Sequence, residues 1–379
     1  MTLTFFTNLV NHHQIPVADE FYTILGDNYR YVAMELLPDW LVSGGYDPTI
    51  SRSYILRSYE SEEAQKEAKR LMLESDVVIA AYAPEETLLE RKSQNKITFD
   101  YSERWNKQGG VHLFDPRKLK NIYRRSFRYR NNRLYMLCAS AYAASDVHFY
   151  GCYPHKTFKW GYMTKVDMHY SRPSFAIFPS ECEVKLMWCA RFINWKHPEF
   201  PIMLAKHLKN RGYSFHINMY GSGILFDDML KLSNELEVND VITFLGNVPN
   251  DQILQAMRQH DIFLFTSDRN EGWGAVANEA MANGCVLIGS HEIGSIPFLV
   301  QDGINGLIFK SNDLNSFIDK VEWALNHIDE CLLISTNAIK TMQDLWSPIN
   351  AARSFLKLVD DLQNDRPVSI LQGPCSRAE

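Results

Sequence analysis

Residues 262–290 read "IFLFTSDRNEGWGAVANEAMANGCVLIGS". Two apolar runs, Ile262–Ser267 and Cys285–Ser290, have the length and β-branched or aromatic content of buried strands. Between them Gly272 and Gly274 loosen the backbone ahead of a helix expected from about Ala275, and Gly284 suits the position just past its end. Strand, loop, helix and strand within 29 residues make a right-handed crossover unit of a parallel sheet. The same alternation recurs on either side. "KLMWCAR" (Lys185–Arg191), "FHINMYG" (Phe215–Gly221) and "VITFLG" (Val241–Gly246) are strand-like and separated by amphipathic stretches. Strands buried on both faces by such helices define an α/β, doubly wound domain.

The N-terminal half carries the pattern too, in "LTFFT" (Leu3–Thr7), "DVVIAAY" (Asp76–Tyr82), "KITFDY" (Lys96–Tyr101) and "LYMLCAS" (Leu134–Ser140), with helical spacing over Val17–Leu25. The 379 residues exceed what one core usually holds. Two Rossmann-like domains are therefore expected, 1–180 and 181–345, followed by a helix over 346–365 that begins with a cap and a proline ("SP" at Ser347) and a loose tail over 366–379.

Composition narrows the function classes. A net charge of −6 with 46% hydrophobic residues describes a soluble globular chain with no global affinity for nucleic acid. Seven scattered cysteines without a Cys-x-x-Cys pair are expected to be reduced core thiols. The N-terminal residues lack a charged leader with a long apolar stretch, so a cytoplasmic protein is expected.

Ligands of open α/β sheets bind beyond the carboxyl ends of the strands, so each strand-end loop is a candidate site. Arg191 closes one strand and Lys196 lies just before the next helix; two cations beside a helix N-terminus are suited to a diphosphate, although read alone they make an ordinary solvated loop edge. Gly221 and Gly223 permit close backbone approach, and the backbone at Asn247 and Val248 offers a platform for a flat base. Glu279 is spaced to accept hydrogen bonds from vicinal hydroxyls such as those of a ribose. Glu271 is placed to orient sugar hydroxyls or stabilise positive charge at an anomeric carbon; in isolation the two carboxylates would only serve the helix dipole and the solvent.

In their order and spacing, "CARFINWKHPEFPIMLAKHL", "MYGSG", "FLGNVPNDQILQAMRQHDIFLFTS", "EGWGAVANEAMANGCVLIGS", "GSIPFLVQDGINGLIF" and "WSPINAARSFLKLV" resemble the retaining glycosyltransferases of family 4, of the GT-B fold. The resemblance spans about residues 185–360. It implies two Rossmann-like domains facing a central cleft, with the last helix returning to the first. It further implies Arg191 and Lys196 on the donor diphosphate, Glu279 on the ribose, and Glu271 with the backbone of Gly272, Trp273, Gly274, Ala275 and Val276 around the sugar and β-phosphate. The implied activity is retaining transfer from a nucleotide-diphosphate sugar, UDP favoured over GDP, to a hydroxyl of a glycan or polyprenyl-diphosphate-linked acceptor. No metal or other cofactor is implied, because cations and helix N-termini take the leaving-group charge.

On the acceptor side, "NLVNHHQIP" stands where many relatives have a Gly-Gly turn, which makes His12 and His13 hydrogen-bonding candidates, and the loops "AYAPEE" and "DYSERWNK" offer Tyr82, Ser102, Glu103 and Arg104. Residues 117–133 hold eight Arg or Lys and no acid, interleaved with aromatics. Lys118, Arg124, Arg125 and Arg128 are thus candidates for an anionic membrane surface, peripheral on the inner face of the cell membrane. Two rival readings on the same fold are a nucleotide-sugar epimerase or glycan phosphorylase and a non-catalytic nucleotide-sugar-binding subunit.

Overall fold

The computed structural model describes residues 1–43, 46–107, 114–172 and 183–379. They divide into two compact units, one formed by Met1–Lys165 with Leu345–Glu379 and the other by Val166–Asp344.

The first unit is built on a parallel sheet of seven strands: β1 (Leu3–Thr7), β2 (Tyr29–Ala33), β3 (Ile55–Arg57), β4 (Val77–Ala80), β5 (Ile97–Ser102), β6 (Leu134–Cys138) and β7 (Thr157–Lys159). Their spatial order is β3-β2-β1-β4-β5-β6-β7. Strands β1 and β4 are wholly buried, as parallel strands covered on both faces must be. The helix Pro348–Gln363, capped by Ser347, packs on the helix Ile15–Leu25. Its Phe355 meets Phe21, Phe99 and Trp160 edge-on at 4.9–5.8 Å, which ties this late segment into the first core.

The second unit repeats the plan with six parallel strands: β8 (Val184–Cys189), β9 (Phe215–Tyr220), β10 (Ile242–Gly246), β11 (Ile262–Phe265), β12 (Val286–Ser290) and β13 (Leu307–Phe309). The order is β10-β9-β8-β11-β12-β13. Counted within each unit, both orders begin 3-2-1-4-5-6, the arrangement of dinucleotide-binding sheets, and the first adds a seventh strand at its edge. The winding reverses between β1 and β4 in one sheet and between β8 and β11 in the other. Those two points are where a crevice opens at the strand ends.

The boundary expected at residue 180 lies outside the described residues. The second unit already includes the segment from Val166. Buried Arg172 pairs with Asp261 at 2.8 Å and donates to the carbonyls of His260 and Gly284, and the Tyr170 hydroxyl donates to Asn283 O at 3.3 Å. These bonds fasten the segment to the second core well before β8.

The tail expected to be loose is in fact held from Gly373 onward. Cys375, Ser376 and Ala378 are buried, Lys159 N donates to Ser376 O at 2.8 Å, and Cys375 N donates to Lys159 O at 2.7 Å. Arg377 bridges Phe158 in antiparallel fashion, so the tail covers the edge that β7 would otherwise leave open. Of the seven cysteines, Cys182 lies outside the described residues and the other six are free. Among the described residues no helix is long and apolar enough to cross a membrane.

Candidate functional site

At the reversal point of the second sheet, the loops after β8 and β11 are bound to each other. Asp268 N donates to Trp195 O at 2.9 Å, and Thr266 Oγ1 donates to Lys196 O at 2.6 Å while accepting from Trp188 Nε1 at 2.9 Å. This backbone lacing brings Lys196 and Glu271, 75 residues apart, into a direct ion pair from Nζ to Oε2. Both side chains are mostly sheltered, 13% and 14% exposed, where solvent screens their attraction less than it would at an open surface. The Lys196 ammonium also lies 6.0 Å from the Phe265 ring centroid. Only one of its three N–H bonds is needed for Glu271, so two remain to face a ligand.

Arg191, exposed just past β8, has its guanidinium 5.9 Å from the Trp195 ring. His197, which the sequence reading passed over, completes the loop. It takes a left-handed backbone (φ 49°), bonds Glu199 Oε1 through Nδ1 at 2.7 Å and turns Nε2 toward Asp268 at 3.7 Å. The Glu199 hydrogen bond raises its pKa against the opposing cost of burial.

The helix after the Gly-rich turn runs Val276–Ala282, one residue later than expected, and stops against Gly284 at φ 81°. Glu279 lies within it, 6% exposed, and desolvation lifts its carboxyl to about 7, partly offset by a hydrogen bond with the Asn250 side chain. Trp273 is a core residue: its ring is 1% exposed and Nε1 donates to Asn278 Oδ1 at 2.8 Å, so only its backbone can face a ligand. Gly274 is required sterically. A Cβ there would lie 2.4 Å from Phe265 Cζ, at φ 80°.

Gly221 and Gly223 bring chain against chain. Cβ atoms at these positions would lie 2.0 Å from Ala190 O and 2.5 Å from Phe192 O. The close approach lets Gly221 N donate to Gly246 O at 2.7 Å and Phe192 N to Ser222 O at 2.9 Å. Asn247 Nδ2 bonds Ser222 Oγ at 2.9 Å, with Val248 following it. The glycines thus gather the ends of β8, β9 and β10 into one edge.

In the first unit the loop after β1 sets His12 against His13 with the rings tilted, centroids 3.9 Å apart, with Tyr46 edge-on to His12 and Tyr162 edge-on to His13. Burial lowers both imidazoles, His13 to about 3, so both are neutral near pH 7. Tyr82 and Ser102 line a cavity of about 600 Å³ at the ends of β2, β4, β5 and β6. The Tyr82 hydroxyl donates to Glu35 at 2.7 Å and Ser102 Oγ donates to Glu103 O at 2.9 Å. Glu103 pairs with Lys107. Arg104 is turned into the fold, 3.8 Å from Asp146 and 4.7 Å above the Tyr142 ring, and so is held by the protein itself.

Three of the four residues read as a membrane patch are also engaged internally. Arg124 and Arg125 both pair with Glu85, and Lys118 donates to Asn106 Oδ1 at 2.6 Å. Arg128 remains exposed, 5.8 Å from the Tyr129 ring, and the helix Pro116–Arg125 also exposes Arg117, Lys120 and Tyr123.

Residues 175–341 match the family model described as glycosyl transferases group 1. D-inositol 3-phosphate glycosyltransferase of Mycolicibacterium smegmatis is 29% identical over 128 residues, 34% of this chain and 29% of that protein. N-acetyl-alpha-D-glucosaminyl L-malate synthase of Bacillus anthracis is 31% identical over 102 residues, 27% of this chain and 26% of that protein. The matched stretches therefore span less than a third of these relatives. Over whole chains the fold is similar to Anabaena HepE in complex with UDP (TM-score 0.71, 12% identity, 95% of this chain and 100% of that one). It is similar also to WaaG, a glycosyltransferase involved in lipopolysaccharide biosynthesis (TM-score 0.59, 14% identity, 92% and 98%). The chain thus carries a group 1 glycosyl transferase domain over residues 175–341, and its two parallel-sheet units have the GT-B fold.

Proposed function

We propose that the chain transfers a sugar, with retention of anomeric configuration, from a nucleotide-diphosphate sugar to a hydroxyl of a glycan or lipid-linked acceptor. The observation that carries this reading is the Lys196–Glu271 ion pair at the reversal point of the second sheet, with exposed Arg191 on the same loop as Lys196. Breaking a glycosidic bond to a diphosphate builds negative charge on the leaving oxygen and positive charge at the anomeric carbon. Lys196 and Arg191 are the cations for the first and Glu271 is the carboxylate for the second. Glu279 supplies acceptors for a ribose diol. HepE, of the same fold, is described in complex with UDP and with UDP-glucose, which favours a UDP-sugar here.

Because the leaving charge falls on side-chain cations, no metal is required by this mechanism. UDP or a UDP-sugar at 100 times its dissociation constant should add about 2.7 kcal/mol of stability to the protein, read as a rise in melting temperature, with and without EDTA. Absence of a shift with UDP-, GDP- and ADP-sugars alike would remove the proposal, and transfer that EDTA abolishes would remove its metal-free form.

We further propose that the first unit rests on an anionic membrane through a narrower patch than the basic run implied. Arg117, Lys120 and Arg128 are exposed beside Tyr123 (58%), Phe114 (73%) and Phe149 (55%). Each cation near such a surface contributes about 1 kcal/mol. Co-sedimentation with phosphatidylglycerol vesicles should fall when Arg117 and Lys120 become glutamate and should persist in Arg124→Gln. Equal binding by the glutamate double variant and the wild type refutes this patch.

A further inference from the structure

His197 stands in the segment that carries Lys196, in a conformation it does not suit. It follows the short turn Asn194–Lys196 at φ 49° and ψ 58°, left-handed backbone in which glycine costs least. A strained residue persists where its surroundings hold it, and here they hold the imidazole. Nδ1 lies 2.7 Å from Oε1 of Glu199, the first residue of the helix Glu199–Asn210. Nε2 lies 3.7 Å from Oδ2 of Asp268, in the loop after β11. Among the described residues these carboxylates are the charged groups that face the ring, and Lys196 turns its ammonium to Glu271 instead. The Phe200 ring, 5.1 Å away, and the Thr266 hydroxyl, which donates to His197 O at 3.2 Å, are neutral.

The two ring nitrogens are not equivalent. An ionised Glu199 accepts from Nδ1, which keeps a proton there. Nε2 is buried and has no hydrogen-bond partner, so it is the atom that gains or loses a proton. Protonated, it sets an N–H and a positive charge toward Asp268. Deprotonated, it sets a lone pair toward the same carboxylate. Attraction gives way to repulsion where the two side chains are only 19% and 16% exposed, so solvent screens neither fully. Asp268 leads on to the reacting pair. Its carbonyl accepts from Glu271 N at 3.0 Å, and its carboxylate accepts from Asn270 N at 2.8 Å. The imidazole therefore joins the turn that carries Lys196 to the turn that carries Glu271.

We propose that His197 is a positioning residue for sugar transfer, whose doubly protonated ring aligns Lys196 with Glu271 by drawing Asp268 toward the loop after β8. The inference rests on the glycosyl-transfer reading above. The hydrogen bond to Glu199, with Asp268 adding to it, holds the imidazole above its ordinary value of 6.5 against the cost of burial. The alignment is therefore complete below pH 6.5 and is lost as pH rises through the ring's own, higher value. Backbone bonds to Trp195 O and Lys196 O persist in either state. A loosened Lys196 still reaches a bound diphosphate, so the loss falls on the rate, where both charges must be met at once.

Two measurements on the full chain test this. Nitrogen-15 NMR of the histidine rings should show Nδ1 of His197 protonated throughout and Nε2 titrating above pH 6.5, with a lower midpoint in Asp268→Asn. Below that midpoint His197→Asn should release UDP from saturating UDP-glucose about tenfold more slowly than the wild type, with UDP affinity within about twofold. Above the midpoint the two rates should converge. Asparagine tolerates left-handed backbone and can donate to Glu199, but it carries no charge. Asp268→Asn, which leaves residue 197 intact, should be slow below the midpoint and should match or exceed the wild type above it, since its amide can donate to a neutral Nε2. Melting curves confirm both folds. Titration at Nδ1, a midpoint unmoved by Asp268→Asn, or a deficit confined to UDP affinity overturns the inference. So does a rate deficit equal at every pH, which marks a purely structural contact. A wild type that releases no UDP removes the transfer reading, and this role with it; normal release with no pH-dependent deficit in either variant removes the role alone.

Discussion

Lys196→Ala should lower the rate of sugar transfer by about 10²–10³, the usual loss when one preorganised group stabilising developing charge is deleted. Glu271→Ala should fall comparably. The two residues form one pair, so the losses are not independent. Removing Lys196 strips the diphosphate of a cation and also takes the Lys196 ammonium from the Glu271 carboxylate in a sheltered position. Removing Glu271 lets the ammonium swing away, although Thr266 still holds the Lys196 backbone and Asp268 that of Trp195. The double variant should therefore lose much less than the product of the single losses, with a coupling energy of about 0.5–3 kcal/mol. Transfer rates for the four proteins in the cycle, together with melting curves, check this. Strictly multiplicative losses would mean that the pair does not act as a unit, and full activity in either single variant would take the roles from both residues.

The parts of this arrangement that the sequence displayed share a physical cause. Central strands such as β1, β4 and β11 are buried on both faces, so they appear as unbroken apolar runs whose ends locate the loops. Lys196, Glu271 and Glu279 could be placed once those ends were known. Strands β3, β7 and β13 have three residues each, too few for any periodicity to emerge. Strand β2 buries Tyr29 and Tyr31 around a half-buried Arg30, and its burial depends on Phe21, Tyr54 and Phe5 packing against those rings. Pairings across the chain were equally hidden. A run of arginines carries no sign that Glu85, 40 residues upstream of Arg125, will claim two of them. His197 escaped notice because its meaning lies in Asp268, and the tail was misjudged because proline and glycine in it gave no hint of the edge strand it would cover.

Glu279→Gln should make the unliganded protein more stable at pH 8 and at the same time impair nucleotide binding. The carboxyl has an ordinary value of 4.5 and is lifted to about 7 because burial penalises its charged form. A raised value means that the folded state keeps a proton the unfolded chain releases. The contribution to stability is therefore complete below about pH 4.5 and is lost progressively as pH climbs through 7. At pH 8 the wild type bears the cost of a buried carboxylate, on the order of 3 kcal/mol, and glutamine does not. The melting temperature of the variant relative to wild type should thus increase from pH 5 to pH 8, by about 2–4 °C for each kcal/mol. Binding should move the other way. A ribose diol donates two hydrogen bonds, which an ionised carboxylate can accept and an amide cannot match, since its nitrogen is a donor. The loss in UDP affinity should be about tenfold or more at pH 8, consistent with hydrogen bonds to a charged acceptor. Wild-type affinity should weaken as pH falls from 8 to 6, because the diol must then compete with the proton, while the variant should show no such dependence from this position. Calorimetric titration of UDP across that range, with melting curves of both proteins, decides the matter. A pH-independent wild-type affinity, or a variant that is destabilised at pH 8, would show that Glu279 is not the buried, proton-linked contact to the ribose.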